Sequence, residues 1–204
     1  SAASIDENSA SVITLTATIS GVTDSAVTVA LTTSGTATED TDYGTISDIT
    51  ISAGATTGTA TLDPTDDNVY EGDETATIDI SSVSGKSGVT ENSTQQVSVT
   101  ISENESAPTV TLATSATSIA ENAGTSLTLT ATLSVATTAD VTVALSTSGT
   151  ATEGTDYTDG SGNVDDIVIS AGATTGTVSF TPTDDSLYDA ASNETATIAV
   201  SGVT

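Results

Sequence analysis

Apolar and polar residues alternate along most of the chain, and this alternation predicts β-strands. The period of two is found in six stretches of the first half, at 13–19, 27–31, 49–51, 59–62, 75–80 and 97–101. Successive side chains of a strand point to opposite faces of a sheet, so this period places one face on a core and the other in solvent. Thr fills many of the polar positions, and a β-branched polar side chain suits a solvated strand face. The pattern predicts an all-β fold.

The same unit is present twice in the chain. The segment GTATEDTDY at 35–43 returns as GTATEGTDY at 149–157, and ISAGATTGT at 51–59 returns at 169–177. Between these pairs the offset grows from 114 to 118 residues, so residues have been inserted between strand-like runs, where surface loops tolerate them. Six or seven short strands per copy are typical of an antiparallel β-sandwich. We therefore predict two tandem sandwiches, residues 1–105 and residues 106–204.

The two copies are cut differently at their ends. A strand-like run at 108–113 precedes the motif Ile119–Asn122, whereas the equivalent motif Ile5–Asn8 has almost nothing before it. The first copy ends with a strand and an acidic turn at 103–105, and the second stops at Thr204 before either. We expect the first module to lack its first strand and the second its last. Two interpretations stay open: a piece of a longer array, or a fibre in which identical chains complete each other's sheets by strand addition.

Composition excludes several classes of function. The chain has no His or Cys and one basic residue, Lys86, among 204 residues, with a formal net charge of −27. Nucleophile–base catalysis and nucleic-acid binding both need residue types that are absent or nearly so. A glycosidase needs only two carboxylates for catalysis, so the missing residue types do not exclude it. However, four Tyr and one Phe supply few aromatic rings for stacking on sugars. We expect no enzyme activity and no nucleic-acid partner. Because no run of ~18 apolar residues occurs, we also expect no membrane insertion.

The acidic residues fall mainly in the loops between the predicted strands, where we expect them to converge at one end of the sandwich. Several carboxylates within ~5 Å of one another raise each other's pKa and destabilise the fold unless a cation neutralises them. Ca²⁺ suits such a site because it accepts 6–8 oxygen ligands in flexible geometry, whereas Mg²⁺ demands a tighter octahedron and Zn²⁺ prefers His or Cys. The alternative is that these loop carboxylates are simply solvated.

Several motifs of both copies resemble the Calx-beta domain. They are Glu7-Asn8, Gly35–Thr38 leading to Asp42-Tyr43, Ala53-Gly54, and above all the block DDNVYEGDET at 66–75. The resemblance spans nearly the whole chain, twice. It implies two immunoglobulin-like sandwiches of about seven strands, with Ca²⁺ ions bound at one tip.

The resemblance also implies a set of calcium ligands. In the first copy they are Glu7, Asp42, Asp66, Asp67, the main-chain carbonyl of Val69, Glu71 and Glu74, with Glu103 and Glu105 in place of the family's Asp-rich closing turn. In the second copy they are Glu121, Asp156, Asp184, Asp185, Asp189 and Glu194. We expect the second site to be weaker, or to be completed by a neighbour, because its counterpart of 71–74 is less acidic and its closing turn is missing.

These features favour a calcium-binding structural spacer of a bacterial-type secreted or cell-surface repeat protein, such as an adhesin or a fibre. Calcium at residues 103–105 would stiffen both the loops and the junction at 106–108, and the partners would be neighbouring modules of the same chain or identical chains. Two alternatives stay open: an adhesion module that binds carbohydrate or ice, and a regulatory calcium sensor. The near-absence of Lys and Arg favours a secreted setting over the cytosolic setting of such a sensor.

Overall fold

The computed structural model describes residues 3–159, 164–185 and 193–204. Main-chain proximity divides the chain into unit 1, Ser1–Glu105, and unit 2, Ser106–Thr204. Regular structure in the described residues is strand throughout, apart from one short 3-10 helix. The predicted all-β class with two tandem sandwiches is confirmed. No helix in these residues is long and apolar enough to cross a membrane.

Unit 1 is a sandwich of two sheets. Its strands are β1 Ala3–Asp6, β2 Ile13–Thr18, β3 Val27–Gly35, β4 Ile49–Ile51, β5 Thr57–Leu62, β6 Val69–Tyr70, β7 Glu74–Ser84 and β8 Gln96–Ser102. One sheet has the order β1-β8-β7-β3-β4, and β2 pairs with β5 in the other. Strand β1 runs parallel to β8, and the remaining pairs in these two sheets are antiparallel. The core lies between the sheets and includes Leu15, Val27, Ile51, Leu62 and Val99.

Unit 2 is also built of two sheets, but different strands lie at the edges of its sheets. Its strands are β9 Val110–Thr114, β10 Leu127–Leu133, β11 Ala136–Thr137, β12 Val141–Gly149, β13 Tyr157–Thr158, β14 Ile167–Ile169, β15 Thr175–Pro182 and β16 Ala196–Val203, with a 3-10 helix at Glu121–Ala123. The sheets have the orders β13-β15-β10-β9 and β14-β12-β16. In the described residues, unit 1 has no counterpart of β9 and unit 2 has none of β1 and β8.

A glycine in each unit fixes the loop that carries one predicted ligand. Gly35, at the end of β3, has a φ of +120°, and a Cβ there would collide with the carbonyl oxygen of Thr75. This close approach lets the main-chain amides of Thr36 and Ala37 both donate to that oxygen, at 3.0 and 3.1 Å. The loop after β3 is thereby anchored to the start of β7. Gly149 repeats the arrangement in unit 2, with a φ of +127°.

Candidate metal centre

Four segments of unit 1 bring acidic side chains to the same end of the sandwich. Glu7 follows β1, Asp42 follows β3, Glu71 lies just before β7 and Glu74 begins it, and the turn at 103–105 follows β8. Because β1 and β8 are parallel, their carboxyl ends meet, and the amide of Glu7 donates to the carbonyl oxygen of Ser102 at 3.0 Å. Residues nearly a hundred positions apart are therefore neighbours.

The carboxylates form two groups of three. One oxygen from each of Glu7, Glu103 and Glu105 lies within 4.8 Å of the others, and the same holds for Asp42, Glu71 and Glu74. Glu7 and Asp42 are also among the most buried polar residues of the unit, with 7% and 8% exposure. Burial and close approach of like charges both disfavour ionised carboxylates.

The pKa values show this effect. Burial first, and then the charges of Glu103, Glu105 and Asp67, raise the pKa of Glu7 to about 7, against one hydrogen bond from the amide of Asp67. Burial first, and then the hydrogen bond and charge of Asp42, also raise the pKa of Glu74 to about 7.

Glu71 has a raised pKa for the same reasons, burial first and the charge of Asp42 second. Near neutral pH and without a cation, the two groups of carboxylates are therefore partly protonated.

Glu103 behaves in the opposite way. Burial alone raises its pKa, but the main-chain amides of Glu105, Glu71 and Gly72 donate to its carboxylate and lower the pKa to about 2. These three bonds measure 2.9, 2.6 and 2.9 Å. Hydrogen bonds from main-chain amides stabilise the charged form. Glu103 thus keeps a fixed negative charge at the centre of the site.

Some of the predicted ligands lie outside both groups. The side chains of Asp66 and Asp67 are exposed. The amide of Asp67 donates to Glu7 Oε1 at 3.2 Å, while its own Oδ1 accepts from the amide of Val69 at 2.7 Å. Asp67 therefore holds its loop against Glu7. The charge of Asp66 raises the pKa of Glu105, after the larger effect of that residue's hydrogen bond with Glu103.

Asp73 has a role that the predicted ligand set does not include. Its Oδ1 accepts from the main-chain amide of Glu103 at 3.0 Å, which fixes the start of the acidic turn. The signal was available in the sequence, because Asp73 belongs to the block at 66–75 that carries the resemblance. Comparison of the two copies did not reveal this role of Asp73, because the corresponding segment of unit 2 has a different length and composition.

The residues present fit a hard divalent cation. The six clustered side chains offer only carboxylate oxygens, the ligand type that Ca²⁺ prefers. Glu105 Oε2 is shielded from solvent and has no hydrogen-bond partner among the described residues. A shielded carboxylate oxygen without a donor is unfavourable unless a cation or water satisfies it.

The counterpart end of unit 2 has only part of this arrangement. Glu121 Oε1 accepts from the amide of Asp185 at 3.1 Å, and Asp156 Oδ2 accepts from the amide of Thr152 at 2.6 Å, as their counterparts do in unit 1. Glu121, Asp184, Asp185 and Glu194 are exposed. Asp189 lies outside the described residues. Within the described part of unit 2, no three acidic side chains form a comparable group.

Comparison with known proteins identifies the family. The model of the Calx-beta domain matches residues 1–105 and again residues 103–202. The chain belongs to the Calx-beta family. The resemblance seen in the sequence is thus confirmed, as two tandem Calx-beta domains that span nearly the whole chain.

Two solved structures are similar to this Calx-beta protein at low identity. They are CBD12 from CALX1.2, with 20% identity, and the calcium binding domain CBD12 of CALX1.1, with 19%. Each comparison covers 97% of this chain and 76% of the other, with a TM-score of 0.42. No curated protein matches the chain.

Proposed function

We propose that unit 1 binds calcium at its acidic end and that the chain is a calcium-stiffened spacer of a secreted or cell-surface repeat protein or fibre. The observation that carries the calcium proposal is the pair of three-carboxylate groups at one end of unit 1. Two groups of three oxygens, some able to bind in bidentate fashion, approach the 6–8 ligands that Ca²⁺ accepts. Membership of the Calx-beta family supports the same conclusion.

The protein itself supplies no positive charge to this end of unit 1. Its one basic side chain, Lys86, pairs with Asp24 at 2.6 Å. Asp24 precedes β3, whereas Asp42 follows it, so this pair lies at the opposite end of the unit. Neutralisation of the clustered carboxylates therefore depends on protons or on cations from solution.

Calorimetry with a charge-matched control tests calcium binding. We expect Ca²⁺ to bind the chain with a measurable heat and to raise its melting temperature, because a ligand that binds only the folded state stabilises it. The double variant Glu7→Gln/Glu74→Gln should lose most of both effects. The variant Asp79→Asn/Glu91→Gln removes the same number of charges away from the site and should keep them. Equal calcium responses in the two variants would contradict the proposal.

The spacer role is supported by tandem repetition and by the place of the acidic turn in the chain. Glu103 and Glu105 immediately precede the segment 106–108, where Pro108 restricts the backbone. Calcium held by this turn would limit the motion of that segment.

The chain has no Cys, so single cysteines introduced on β5 and β15 can carry spin labels. We expect calcium to narrow the distribution of distances between the labels. If calorimetry shows calcium binding but the distance distribution is unchanged, the result would contradict the spacer role without contradicting calcium binding.

A further inference from the structure

Glu39 is an acidic residue in the loop after β3 that belongs to neither group of three carboxylates. It is half-buried and precedes Asp42, the residue of the same loop that does belong to one group. Its carboxylate accepts two hydrogen bonds, at Oε2 from the hydroxyl of Thr33 at 2.7 Å and at Oε1 from the main-chain amide of Ile46 at 2.9 Å. Thr33 lies in β3, and Ile46 lies shortly before β4. Glu39 therefore joins the strand that enters the loop to the segment that leaves it.

The loop held in this way fixes both the side chain and the main chain of Asp42. Asp42 Oδ2 accepts from the amide of Thr38 at 2.6 Å, and the Asp42 carbonyl accepts from the amide of Thr65 at 3.0 Å. The next residue, Tyr43, is 1% exposed and anchors the loop in the core. The Asp42 carboxylate can therefore move little unless the loop moves with it.

Unit 2 repeats the bonds of Glu39 in a loop of different length. Glu153 Oε2 accepts from the hydroxyl of Thr147 at 2.8 Å, and Oε1 accepts from the amide of Val164 at 2.6 Å. The carboxylate and its amide donor are 7 residues apart in unit 1 and 11 residues apart in unit 2. The same two bonds are thus formed across both loops, so the spacing in sequence does not determine them.

Two other roles for Glu39 fit the structure less well. A carboxylate that is simply solvated would be exposed, whereas Glu39 is half-buried with both oxygens bonded. A carboxylate that binds the cation would lie within one of the groups of three, and Glu39 lies in neither. Residues that orient metal ligands without touching the metal form a third class, and the loss of one typically lowers metal affinity by about 10–100-fold.

We propose that Glu39 is a positioning residue for calcium, acting through the loop 38–46 on Asp42 rather than by contact with the ion. This inference rests on the proposed calcium function of unit 1. By joining β3 to Ile46, Glu39 keeps Asp42 beside Glu71 and Glu74 before calcium arrives. A loop that is already ordered does not have to lose conformational freedom on binding, and the saving increases affinity.

Two substitutions of Glu39 in the full chain separate its position from its charge. Glu39→Ala removes both hydrogen bonds. Glu39→Gln removes the same charge, but its amide oxygen can accept from Ile46 while its NH₂ group donates to the hydroxyl of Thr33. We expect Glu39→Ala to weaken calcium binding at least ~10-fold and Glu39→Gln to remain close to the wild type. An equal loss in both variants would overturn the positioning role, because the charge alone would then explain it.

Thr33→Val provides a second test that changes no charge. It keeps the shape of the side chain and removes one of the two bonds to Glu39. We expect a smaller loss of calcium affinity in the same direction as that of Glu39→Ala. Unchanged affinity in Thr33→Val and in Glu39→Ala would overturn the proposal, and Thr33→Val alone decides if Glu39→Ala does not fold.

Two further variants separate positioning from general destabilisation. Ile51→Val weakens the core of unit 1 beside Val27, at the start of β3 and so at the opposite end from Asp42. Glu153→Ala removes the equivalent bonds from unit 2. The NMR signals of the Glu71 and Gly72 amides, followed in chelator-buffered calcium, report on occupancy of unit 1. We expect both variants to unfold at lower urea concentration and to keep the calcium affinity of unit 1. A loss in Ile51→Val as large as in Glu39→Ala would overturn the proposal.

Hydrogen exchange in calcium-free buffer tests the same role without the ion. The amide of Thr38 bonds to Asp42 and not to Glu39, so its exchange rate reports whether Asp42 is held. We expect faster exchange of this amide in Glu39→Ala and little change in Glu39→Gln, and an unchanged rate in Glu39→Ala would contradict the positioning role. If the wild-type chain binds no calcium, both the proposed function and this role of Glu39 fail. If the wild type binds calcium and Glu39→Ala binds it equally well, only the role of Glu39 fails.

Discussion

Glu103 Oε2 lies 2.6 Å from the main-chain nitrogen of Glu71, although 32 residues separate the two in sequence. The same oxygen accepts from Gly72, and Oε1 accepts from Asn104 and Glu105. One carboxylate thus joins the turn after β8 to the loop before β7. It keeps its charge because four amide donors face it, while Glu7 beside it titrates near neutrality. In this site Glu103 holds two loops together through its hydrogen bonds, whereas Glu7 and Glu74 have raised pKa values that a bound cation would lower.

The substitution Glu103→Gln should destabilise unit 1 without calcium. A neutral amide keeps one acceptor oxygen and places an NH₂ group against donors, so two main-chain amides lose their partner. Hydrogen bonds to a charged group contribute about 1.5–3 kcal/mol each, so the loss of two should lower the free energy of unfolding by about 3 kcal/mol or more. Urea unfolding in calcium-free buffer measures it. Glu105→Gln is the control, because no main-chain amide of another described residue donates to its carboxylate, and an equal loss there would contradict the assignment.

The stability of the calcium-free protein should fall as the pH rises from about 4.5 to about 7. Glu7 and Glu74 have an ordinary pKa of 4.5 and a folded pKa of about 7, so the folded state binds more protons in this interval. The state that binds more protons loses stability as protons are removed. Glu103, with its pKa of about 2, acts in the opposite sense, and its contribution is lost as the pH falls below about 4.5.

Melting temperatures at pH 5 and pH 8 in calcium-free buffer test this dependence. We expect the lower value at pH 8 and a smaller difference in Glu7→Gln/Glu74→Gln. Repulsion within a chain of net charge −27 also grows with pH, so Asp79→Asn/Glu91→Gln serves as the charge-matched control. If both double variants show the same pH dependence, Glu7 and Glu74 are not its source.

Calcium binding should release protons near neutral pH. Glu7 and Glu74, each with a pKa of about 7, are each half-protonated at pH 7. Cations bind them as carboxylates, so about one proton in total leaves unit 1 when both three-carboxylate groups are filled. Titration calorimetry at pH 7 in buffers with different ionisation enthalpies measures this number directly. An observed heat that does not vary with the buffer would show that both groups are already ionised.

The strands that the sequence predicts are those with a sustained period of two. The run at 27–31 is the start of β3, and 97–101 lies within β8. The alternation of apolar and polar residues did not predict β1, because this short strand depends on pairing with β8, nearly a hundred residues away. Its counterpart at 117–120 keeps the same Ile but forms no strand, and among the described residues of unit 2 no strand pairs with it. Local pattern is similar in the two places, and the long-range partner decides the structure.

The repeat and the family resemblance together indicated which acidic residues belong to one site. They did not indicate that the clustered carboxylates form two separate groups of three. Glu7 and Asp42 enter separate groups of three, whereas Asp66 enters neither. The position of Glu103 depends on main-chain amide donors from two segments, the loop before β7 and the turn after β8. A pattern of side chains in the sequence does not show where main-chain amides will lie. The same limit applies to Asp73, which looks in sequence like one more loop carboxylate and instead bonds to the amide of Glu103.

A second pair of carboxylates is expected to act on stability independently of calcium. The register of β3 against β7 shifts between Ala30 and Leu31, and Asp48 Oδ1 accepts the amide of Leu31 there at 3.0 Å. Asp166 repeats this bond with the amide of Leu145 in unit 2, at 2.8 Å, at the equivalent shift. The ladders of β3 with β4 and of β12 with β14 end at the pairs Val29–Ile49 and Val143–Ile167. Just beyond each ladder, the Asp side chain supplies an acceptor for the Leu amide.

We therefore expect Asp48→Ala and Asp166→Ala each to lower the free energy of unfolding by about 1 kcal/mol, with the modest value reflecting the exposure of these bonds. Asp48→Asn keeps an acceptor oxygen and should cost less. Urea unfolding, analysed as one transition per unit, measures each loss with and without calcium. The losses should be equal in both conditions, because neither residue belongs to the clustered carboxylates. A loss at Asp48 that disappears in saturating calcium would instead link this bulge to the metal centre.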